Sequence, residues 1–175
     1  SEDQGCTWTR SKLIDQPGHL VGIDKKGKDV RFGVIQPTLW ESAPGKIHML
    51  LRSTTGKICR SDSIDGGLTW CKIYETDLPN NNSGIDLAKL VDGSLLLAYN
   101  PISKNWGPRC PITLARSVDN GATWKKVIDL ETETEREYSY PAVIALSSGG
   151  AAISYTWERK KIAVHILSET EIKQI

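Results

Sequence analysis

The chain has 175 residues, of which 39% are hydrophobic and 25% charged, and its formal net charge is +1. This balance allows a buried core, and it excludes the strong field of proteins that bind nucleic acids or membrane surfaces through charge. No run of about 18 apolar residues is present, so no transmembrane helix is predicted. The four cysteines lack zinc-ligand spacing and the three histidines are scattered, so no metal or other cofactor is predicted.

An octapeptide of the form Ser-x-Asp-x-Gly-x-Thr-Trp occurs at residues 1–8, 63–70 and 117–124, with starts 62 and 54 residues apart. This spacing is typical of repeat architectures. Asp and Ser side chains accept hydrogen bonds from nearby backbone N–H groups, and Gly supplies the positive φ of a tight reversal. Apolar, β-prone segments flank the copies, so each octapeptide is predicted to close a β-hairpin that its buried Trp anchors.

The remaining elements follow in chain order. Residues 9–33 include a charged hairpin tip at 25–29, which is either solvated surface or an insertion that rims a cavity. Three apolar runs, each between a turn glycine and a polar residue, predict inner strands at 46–51, 94–99 and 150–155. Third strands are predicted at 57–60, 111–116 and 161–167. Residues 168–171 keep only the Ser of the octapeptide and predict a degenerate copy or a plain outer strand.

The octapeptide resembles the Asp-box of sialidases, where it joins the third and fourth strands of a propeller blade. The runs at 52–54, 79–86 and 138–141 are similar to those of sialidase-like BNR-repeat proteins, over roughly residues 34–168. The expected fold is therefore an all-β propeller of four-stranded antiparallel blades. Residues 1–175 are expected to form one partial propeller domain of about three blades and one outer strand.

Propellers close with roughly four to eight blades, and the resemblance implies six. A half ring would leave blade edges and its central face exposed. The first octapeptide begins at Ser1, so the strand that leads into it is expected to be missing. We therefore expect the chain to be part of a propeller that a second polypeptide, or a second copy of this chain, completes. The sequence leaves its compartment open between a secreted or periplasmic location and the cytoplasm.

Because Asp-boxes join strands three and four, the other hairpins and the blade connections must lie at the opposite end of the ring, where sialidases bind substrate. Polar side chains concentrate at the positions that reach this end. The predicted substrate-binding residues are Gln36, Arg52, Asn82, Ser83, Asn100, Arg109 and Arg159. The resemblance implies an arginine cluster that holds a substrate carboxylate, and Arg52 and Arg109 match it best. For each, an ordinary surface ion pair or an ion pair between blades is the alternative.

Tyr138 and Tyr140 are the candidate nucleophiles, because the resemblance places a Tyr-Ser pair at the start of the last blade. Two-residue alternation puts both rings on one face, so the sequence does not choose between them, and blade packing is the alternative for both. Asp86 is a candidate acid or base, with orientation of Arg109 or capping of its own turn as alternatives. Glu137 is the neighbouring carboxylate in sequence, but its position does not match the glutamate of the family.

Three functions are compatible with these residues. The first is a sialidase-like glycoside hydrolase that acts on acidic-sugar glycans. The second is a lyase or hydrolase for uronate-containing polysaccharide, and the third is a non-catalytic propeller that binds carbohydrate or protein. Cys59 and Cys71 flank the second octapeptide and could face each other, but free thiols are expected because a domain of this size has a core. His48 and His165 lie within apolar strands and are predicted to be hydrogen-bonded core residues.

Overall fold

A computed structural model describes residue 1 and residues 3–173. Short antiparallel strands follow one another along most of this length. They are β1 (Leu20–Ile23), β2 (Asp29–Arg31), β3 (Val34–Ala43), β4 (Lys46–Ser53), β5 (Lys57–Ser63), β6 (Tyr74–Pro79), β7 (Asp86–Lys89), β8 (Leu95–Tyr99), β9 (Ile112–Ser117), β10 (Lys125–Glu131), β11 (Tyr138–Ala145), β12 (Ala151–Trp157) and β13 (Lys161–Leu167). A short helix, α1 (Glu169–Lys173), follows the last strand.

The strands form three blade-like meanders, which confirms the predicted all-β propeller class. Blade 1 has the order β3-β4-β5-β6, blade 2 the order β7-β8-β9-β10, and blade 3 consists of β11-β12-β13. All neighbours in these sheets are antiparallel, and β1 and β2 form a separate hairpin. The charged tip predicted at residues 25–29 lies at the turn of this hairpin. No strand follows the first octapeptide directly, because residues 9–19 are irregular, so the predicted extra outer strand is wrong.

The end of blade 3 also differs from the prediction. Residues 168–171 form neither a degenerate Asp-box nor an outer strand, because Ser168 caps helix α1. Its hydroxyl accepts a hydrogen bond from the Glu171 backbone N–H (3.3 Å), while the Glu171 carboxylate accepts one from the Ser168 N–H (2.8 Å). This reciprocal capping box satisfies two backbone donors at the helix start. Ile172, which is 1% exposed, then anchors the helix in the core.

The core lies between the blades. One cluster joins blades 1 and 2 through side chains that include Trp40, Leu50 and Leu97. A second joins blades 2 and 3 and includes Leu114 and Ile153. The strands β4 and β8 are buried along most or all of their length, because each is covered on both faces. A smaller cluster packs residues 14–34 against blade 1.

All three octapeptides form the same closed turn. In the second copy, the Asp65 carboxylate accepts from the hydroxyl of Thr69 (2.5 Å) and from its backbone N–H (2.9 Å), while Ser63 Oγ accepts from Gly67 N (2.9 Å). The copies at 1–8 and 117–124 make equivalent bonds. The second and third copies join β5 to β6 and β9 to β10, as predicted. The prediction that a buried Trp anchors each turn is only partly right, because the Trp8 side chain is 79% exposed.

Candidate functional site

The first strands of the blades, β3, β7 and β11, lie next to one another, and a left-handed residue lies within β3 and β11 near their starts and in the loop that leads into β7. The φ angle is 53° at Gln36, 61° at Asn82 and 54° at Tyr140. Register shifts beside Gln36 and Tyr140 mark β-bulges in β3 and β11. Bulges and left-handed backbone at non-glycine residues redirect side chains and concentrate at functional sites. These three residues, with Arg52 and Arg109, form what we call the central cluster.

Arg52 is the buried charge of the central cluster. It lies near the end of β4 and is 7% exposed. Its Nε donates to Asn82 Oδ1 (3.2 Å) and its Nη1 donates to Gln36 Oε1 (2.8 Å). No ion pair within residues 1 and 3–173 involves it. Two neutral amides therefore orient a guanidinium whose charge no carboxylate compensates.

Arg109 and Arg159 share one carboxylate. Glu137 Oε1 lies 3.2 Å from Arg109 Nη1 and 2.9 Å from Arg159 Nε. Burial raises the pKa of Glu137, but the hydrogen bond from Arg159 and the charge of Arg109 outweigh this and lower it, so the group is ionised. The trio carries one net positive charge. The Arg159 side chain is 64% exposed, which places it at the rim, whereas that of Arg109 is 12% exposed.

The structure separates the two candidate tyrosines. Tyr138 is 0% exposed and packs edge-on against Tyr155, with no hydrogen-bond partner for its hydroxyl within the described residues. Burial raises its pKa to about 12. Tyr140 is 46% exposed, and the Arg109 guanidinium carbon lies 5.1 Å from its ring centroid. The alternation that predicted one shared face is wrong, because the bulge at Tyr140 interrupts the period-two pattern.

The two arginines also change the acidity of the exposed phenol. The pKa of Tyr140 is lowered by a hydrogen bond and the charge of Arg109, and further by Arg52. Gly84 lies against the same ring, where a Cβ would stand 3.2 Å from Tyr140 Cδ1. Tyr140 is thus an exposed phenol with a lowered pKa, whereas Tyr138 is a core residue.

Asp86 does not reach the central cluster as a free carboxylate. Its Oδ1 accepts from Thr38 Oγ1 of β3 and its Oδ2 accepts from the backbone N–H of Val143 in β11, both at 2.8 Å. One side chain thus ties the first strands of all three blades. The predicted acid or base role is not supported by this geometry, because both oxygens are engaged. Neither alternative fits, since Asp86 bonds neither Arg109 nor its own turn.

Ser83 and Asn100 form a buried scaffold behind the cluster. Ser83 Oγ lies 2.6 Å from Asn100 Oδ1, and Asn100 Nδ2 donates to the carbonyl oxygens of Pro111 (2.7 Å) and Tyr138 (3.1 Å). Both residues are 0% exposed. Neither side chain is accessible to a ligand in this structure, so their predicted contact with substrate has no geometric support here. Their polar groups are used to connect blades 2 and 3.

Two residues beside the central cluster, Asn105 and Trp106, were not predicted from the sequence. Asn105 Oδ1 accepts from Asn82 Nδ2 at 3.1 Å, which extends the Arg52 network outward. Trp106 follows it with a φ of 56° and is 66% exposed. The signal in the sequence is a tryptophan within a polar, Gly- and Pro-containing loop, where nothing predicts burial.

The Asp-box end of the sheets has a different polar network. His48, a residue of β4 that stacks on Trp40, lies 2.5 Å from Asp62 Oδ1 through Nδ1 and 2.7 Å from Ser42 Oγ through Nε2. The same Nε2 lies 3.2 Å from the amide of Asn120 in blade 2. His48 is thus a hydrogen-bonded core residue, as predicted, and it links blades 1 and 2.

No group of three or more metal-ligating side chains is assembled within residues 1 and 3–173. The four cysteines are free thiols, so Cys59 and Cys71 form no disulfide. Among the described residues, no helix has the length and apolar character that a bilayer crossing requires.

Comparison with known proteins places the chain in a family. A sequence model of the BNR repeat-like domain matches residues 1–153, which is most of the chain. The chain belongs to the BNR repeat-like domain family. The residues of the central cluster that the match includes are Gln36, Arg52, Asn82, Arg109 and Tyr140. No curated protein sequence matches the chain.

Solved structures show the fold of this BNR-repeat chain. It aligns with the NanB sialidase of Streptococcus pneumoniae at 17% identity and a TM-score of 0.70, over 99% of this chain and 27% of that one. The alignment with the leech intramolecular trans-sialidase has 16% identity and a TM-score of 0.63, over 99% of this chain and 27% of that one. The alignment with the Penicillium chrysogenum α-L-arabinanase has 18% identity and a TM-score of 0.58, over 78% of this chain and 46% of that one. The chain thus spans about a quarter of the sialidase chains. Identities this low establish a sialidase-like fold and leave the chemistry to the site.

Proposed function

We propose that this chain supplies part of the active site of a sialidase-like glycoside hydrolase that acts on acidic-sugar glycans. Arg52 and Arg109 bind the carboxylate of the sugar, and Tyr140 is the nucleophile. The observation that carries the proposal is the buried Arg52 guanidinium, which is held by two amides and has no carboxylate partner among residues 1 and 3–173. A buried charge is costly without compensation, and an anionic ligand would supply it.

The chemistry of guanidinium groups supports a carboxylate as that ligand. Arginine presents a planar fork of donors that matches both oxygens of a carboxylate, and it stays charged over the physiological range. Gln36 and Asn82 bind the Nη1 and Nε positions of Arg52 and fix the plane of its fork. Arg109 stands over the exposed face of Tyr140, so the carboxylate site and the phenol are adjacent.

Tyr140 suits nucleophilic attack near an anionic sugar. Its oxygen would form a bond to the anomeric carbon while the glycosidic carbon–oxygen bond breaks, and a later water molecule would release the sugar. A neutral phenol avoids the charge repulsion that a carboxylate nucleophile would experience next to the substrate carboxylate. The lowered pKa of Tyr140 assists loss of its proton. No member of the central cluster carries a carboxyl group, so the base that takes the phenol proton and the acid that protonates the leaving oxygen both come from outside the cluster.

A uronate lyase or hydrolase is the second candidate, and the same lowered pKa favours it. In a lyase, the Tyr140 phenolate would remove the proton from the carbon next to the uronate carboxyl group. The glycosidic carbon–oxygen bond at the adjacent ring carbon would then break, which leaves a carbon–carbon double bond in the sugar, and the released oxygen would take a proton from outside the central cluster. Arg52 and Arg109 would stabilise the charge that develops on that carboxyl group. A non-catalytic propeller that binds carbohydrate or protein is the remaining alternative. Turnover decides among the three.

We also propose that further blades, from a second polypeptide or a second copy, complete the site. Ile162, Val164 and Ile166 alternate along β13 and are 62–71% exposed, which leaves an apolar face open on the outermost strand of blade 3. Such a face is typically covered in a native assembly. Replacing Val164 with Asp is expected to lower the mass of the assembly in analytical ultracentrifugation. An unchanged mass would exclude this face as the contact.

The activity test uses the chain in its native assembly with three substrates: a 4-methylumbelliferyl α-sialoside, an unsaturated-product assay on polygalacturonate, and a neutral arabinan. Tyr140→Phe is expected to abolish turnover of the acidic substrate while leaving the melting temperature unchanged. Arg52→Ala is expected to weaken binding of the acidic sugar by about a hundredfold, which corresponds to one or two charge-assisted hydrogen bonds. Arg10→Ala, an exposed arginine on the irregular segment 9–19, is the control.

A further result tests the proposed electrostatics directly. The phenolate absorbance of Tyr140, obtained as the difference between the chain and its Tyr140→Phe variant, should appear at a lower pH than that of an ordinary tyrosine. Arg109→Ala should move this transition to higher pH. Binding of the neutral arabinan with no effect of Arg52→Ala would instead overturn the assignment to acidic sugars.

A further inference from the structure

Trp106 is the large exposed aromatic side chain closest in sequence to the central cluster. It is held rather than loose, because its backbone N–H donates to Asn81 O at 3.1 Å and its φ is 56°. Gly107 permits the tight turn that follows, since a Cβ there would stand 2.7 Å from Lys104 O. Backbone strain of this kind persists where the surrounding structure enforces it, often at functional sites. The backbone is thus fixed at Trp106 while its indole stays exposed to solvent.

Two cavities meet at this tryptophan. The first has a volume of about 630 Å³, within the range of small-ligand sites, and lies between the β1–β2 hairpin and the loop at 101–108. Its lining includes Lys25, Lys26, Lys28, Lys104 and Trp106, and we call it the lysine cavity. The second, of about 400 Å³, lies on the other side of the Trp106 loop and is lined by residues that include Arg109 and Arg159.

The lysine cavity is strongly cationic. None of its four lysines belongs to an ion pair in the part of the chain that the structure describes. The carboxylate that lines the same cavity, Asp24, is engaged in the hairpin turn, where its Oδ1 accepts from the backbone N–H groups of Lys26 and Lys28. Four like charges around one concave space repel one another, and an anion that enters it relieves this repulsion.

The lysine cavity is connected to the central cluster. Asn105 lines the cavity beside Trp106, and its Oδ1 accepts from Asn82 Nδ2 at 3.1 Å. Asn82 in turn accepts from Arg52 Nε. A chain of three neighbouring side chains thus leads from the proposed carboxylate site to the cavity. The two places are thus joined through direct side-chain contacts, as sites for successive units of one oligosaccharide would be.

We propose that Trp106 and the lysine cavity form a second subsite, which binds a neighbouring carboxylated sugar of an acidic oligosaccharide. The ring face of Trp106 would pack against the apolar face of the sugar, and the lysines would attract its carboxylate. This proposal rests on the proposed function, because it assumes that the central cluster binds the first acidic unit. It narrows the substrate class from a single terminal acidic sugar to a chain with repeated negative charge.

The test compares ligand length and charge by isothermal titration calorimetry on the chain in its native assembly. The ligands are three pairs of a monosaccharide and its oligosaccharide: galacturonic acid and trigalacturonate, sialic acid and an α-2,8-linked disialic acid, and the neutral galactose and galactotriose. Trigalacturonate or disialic acid should bind more tightly than its own monosaccharide, and the neutral trisaccharide should show no such gain. The uronate and sialate arms distinguish the two sources of the shared carboxylate chemistry.

Variants show which residues produce the higher affinity for acidic oligosaccharides. Trp106→Ala should weaken oligosaccharide binding about fivefold to tenfold, the effect of one lost aromatic contact, and leave monosaccharide binding unchanged. Lys26→Glu combined with Lys104→Glu should reduce the same gain and its dependence on salt. The matched controls are Trp8→Ala and Lys46→Glu, because both residues are exposed at the Asp-box end.

The outcomes separate this proposal from the previous one. The subsite would be refuted if the acidic monosaccharide and its oligosaccharide bound with equal affinity. The proposed function would stay intact in that case if Arg52→Ala still weakened the binding of both. An oligosaccharide gain that Trp106→Ala and the lysine variants do not reduce would also refute it. If Arg52→Ala bound the acidic sugars as tightly as the parent chain does, the proposed function itself would be refuted. If galactotriose gained as much affinity over its monosaccharide as the acidic oligosaccharides do, the requirement for a charged sugar would be refuted.

Discussion

Replacing Asp86 with Ala tests whether this carboxylate holds the blades together or takes part in chemistry. The substitution removes the acceptor of the Thr38 hydroxyl in blade 1 and of the Val143 backbone N–H in blade 3, both at 2.8 Å. Both donor residues are 6% exposed, so water does not readily replace the lost acceptor. Hydrogen bonds to charged groups contribute about 1.5–3 kcal/mol each. The expected loss in the free energy of unfolding is therefore about 3–6 kcal/mol.

Asp86→Asn should cost roughly half as much, because the amide keeps one acceptor oxygen. For a chain of this size, about 1 kcal/mol lowers the melting temperature by roughly 2–4 °C, so Asp86→Ala should lower it by about 6–24 °C. The measurements are urea unfolding and differential scanning calorimetry. Asp77→Ala, an exposed carboxylate on β6, is the matched control and should change little. A melting temperature within about 2 °C of the parent, together with lost turnover, would refute the structural assignment and restore Asp86 as an acid or base.

Three further predictions follow from single groups. Tyr138→Phe should leave turnover unchanged and should not lower the melting temperature, because the buried hydroxyl has no hydrogen-bond partner in the described residues; a loss of activity would contradict its placement in the core. The pKa of Asp119 is lowered from 3.8 to about 2, first by the Thr123 hydroxyl and then by its N–H. The stability that Asp119 contributes should therefore be complete above about pH 4 and be lost toward pH 2, and Asp119→Asn should flatten this fall in urea unfolding. Burial raises the pKa of the Cys59 thiol to about 11, so iodoacetamide should label exposed Cys6 in the native chain and Cys59 only after denaturation, as peptide mass spectrometry would show.

The fold could be predicted from the sequence because its signals are local. Each octapeptide carries within eight residues all the donors and acceptors that close its turn, and the bonds around Asp65 and Asp119 are the same in both blades. The apolar runs between turn glycines likewise mark strands that both faces bury. The helix start at Ser168 differs from the prediction because the repeat pattern favours a degenerate octapeptide or an outer strand there, whereas the Ser-x-x-Glu sequence at 168–171 forms a capping box.

The central cluster could be predicted only in part. Strand phase placed Arg52, Arg109 and Gln36 at one end of the sheets, because position along a strand fixes which end a residue reaches. It could not tell Tyr138 from Tyr140, since a bulge reverses the face that a side chain takes. Strand phase also predicted site roles for Asp86, Ser83 and Asn100. A polar residue in the sequence does not reveal whether a residue of another blade will form a hydrogen bond with it.

The sequence by itself thus determined the repeated unit, the strand order within each blade and the end of the blades where polar side chains gather. All of these depend on interactions between residues close in the chain. Only the tertiary structure decided which polar groups are satisfied by other blades and which are not. Thr38 and Val143, 48 and 57 residues from Asp86, engage that carboxylate. No comparable carboxylate reaches Arg52 among the described residues, and that difference is the reason we propose the buried guanidinium as the anion site.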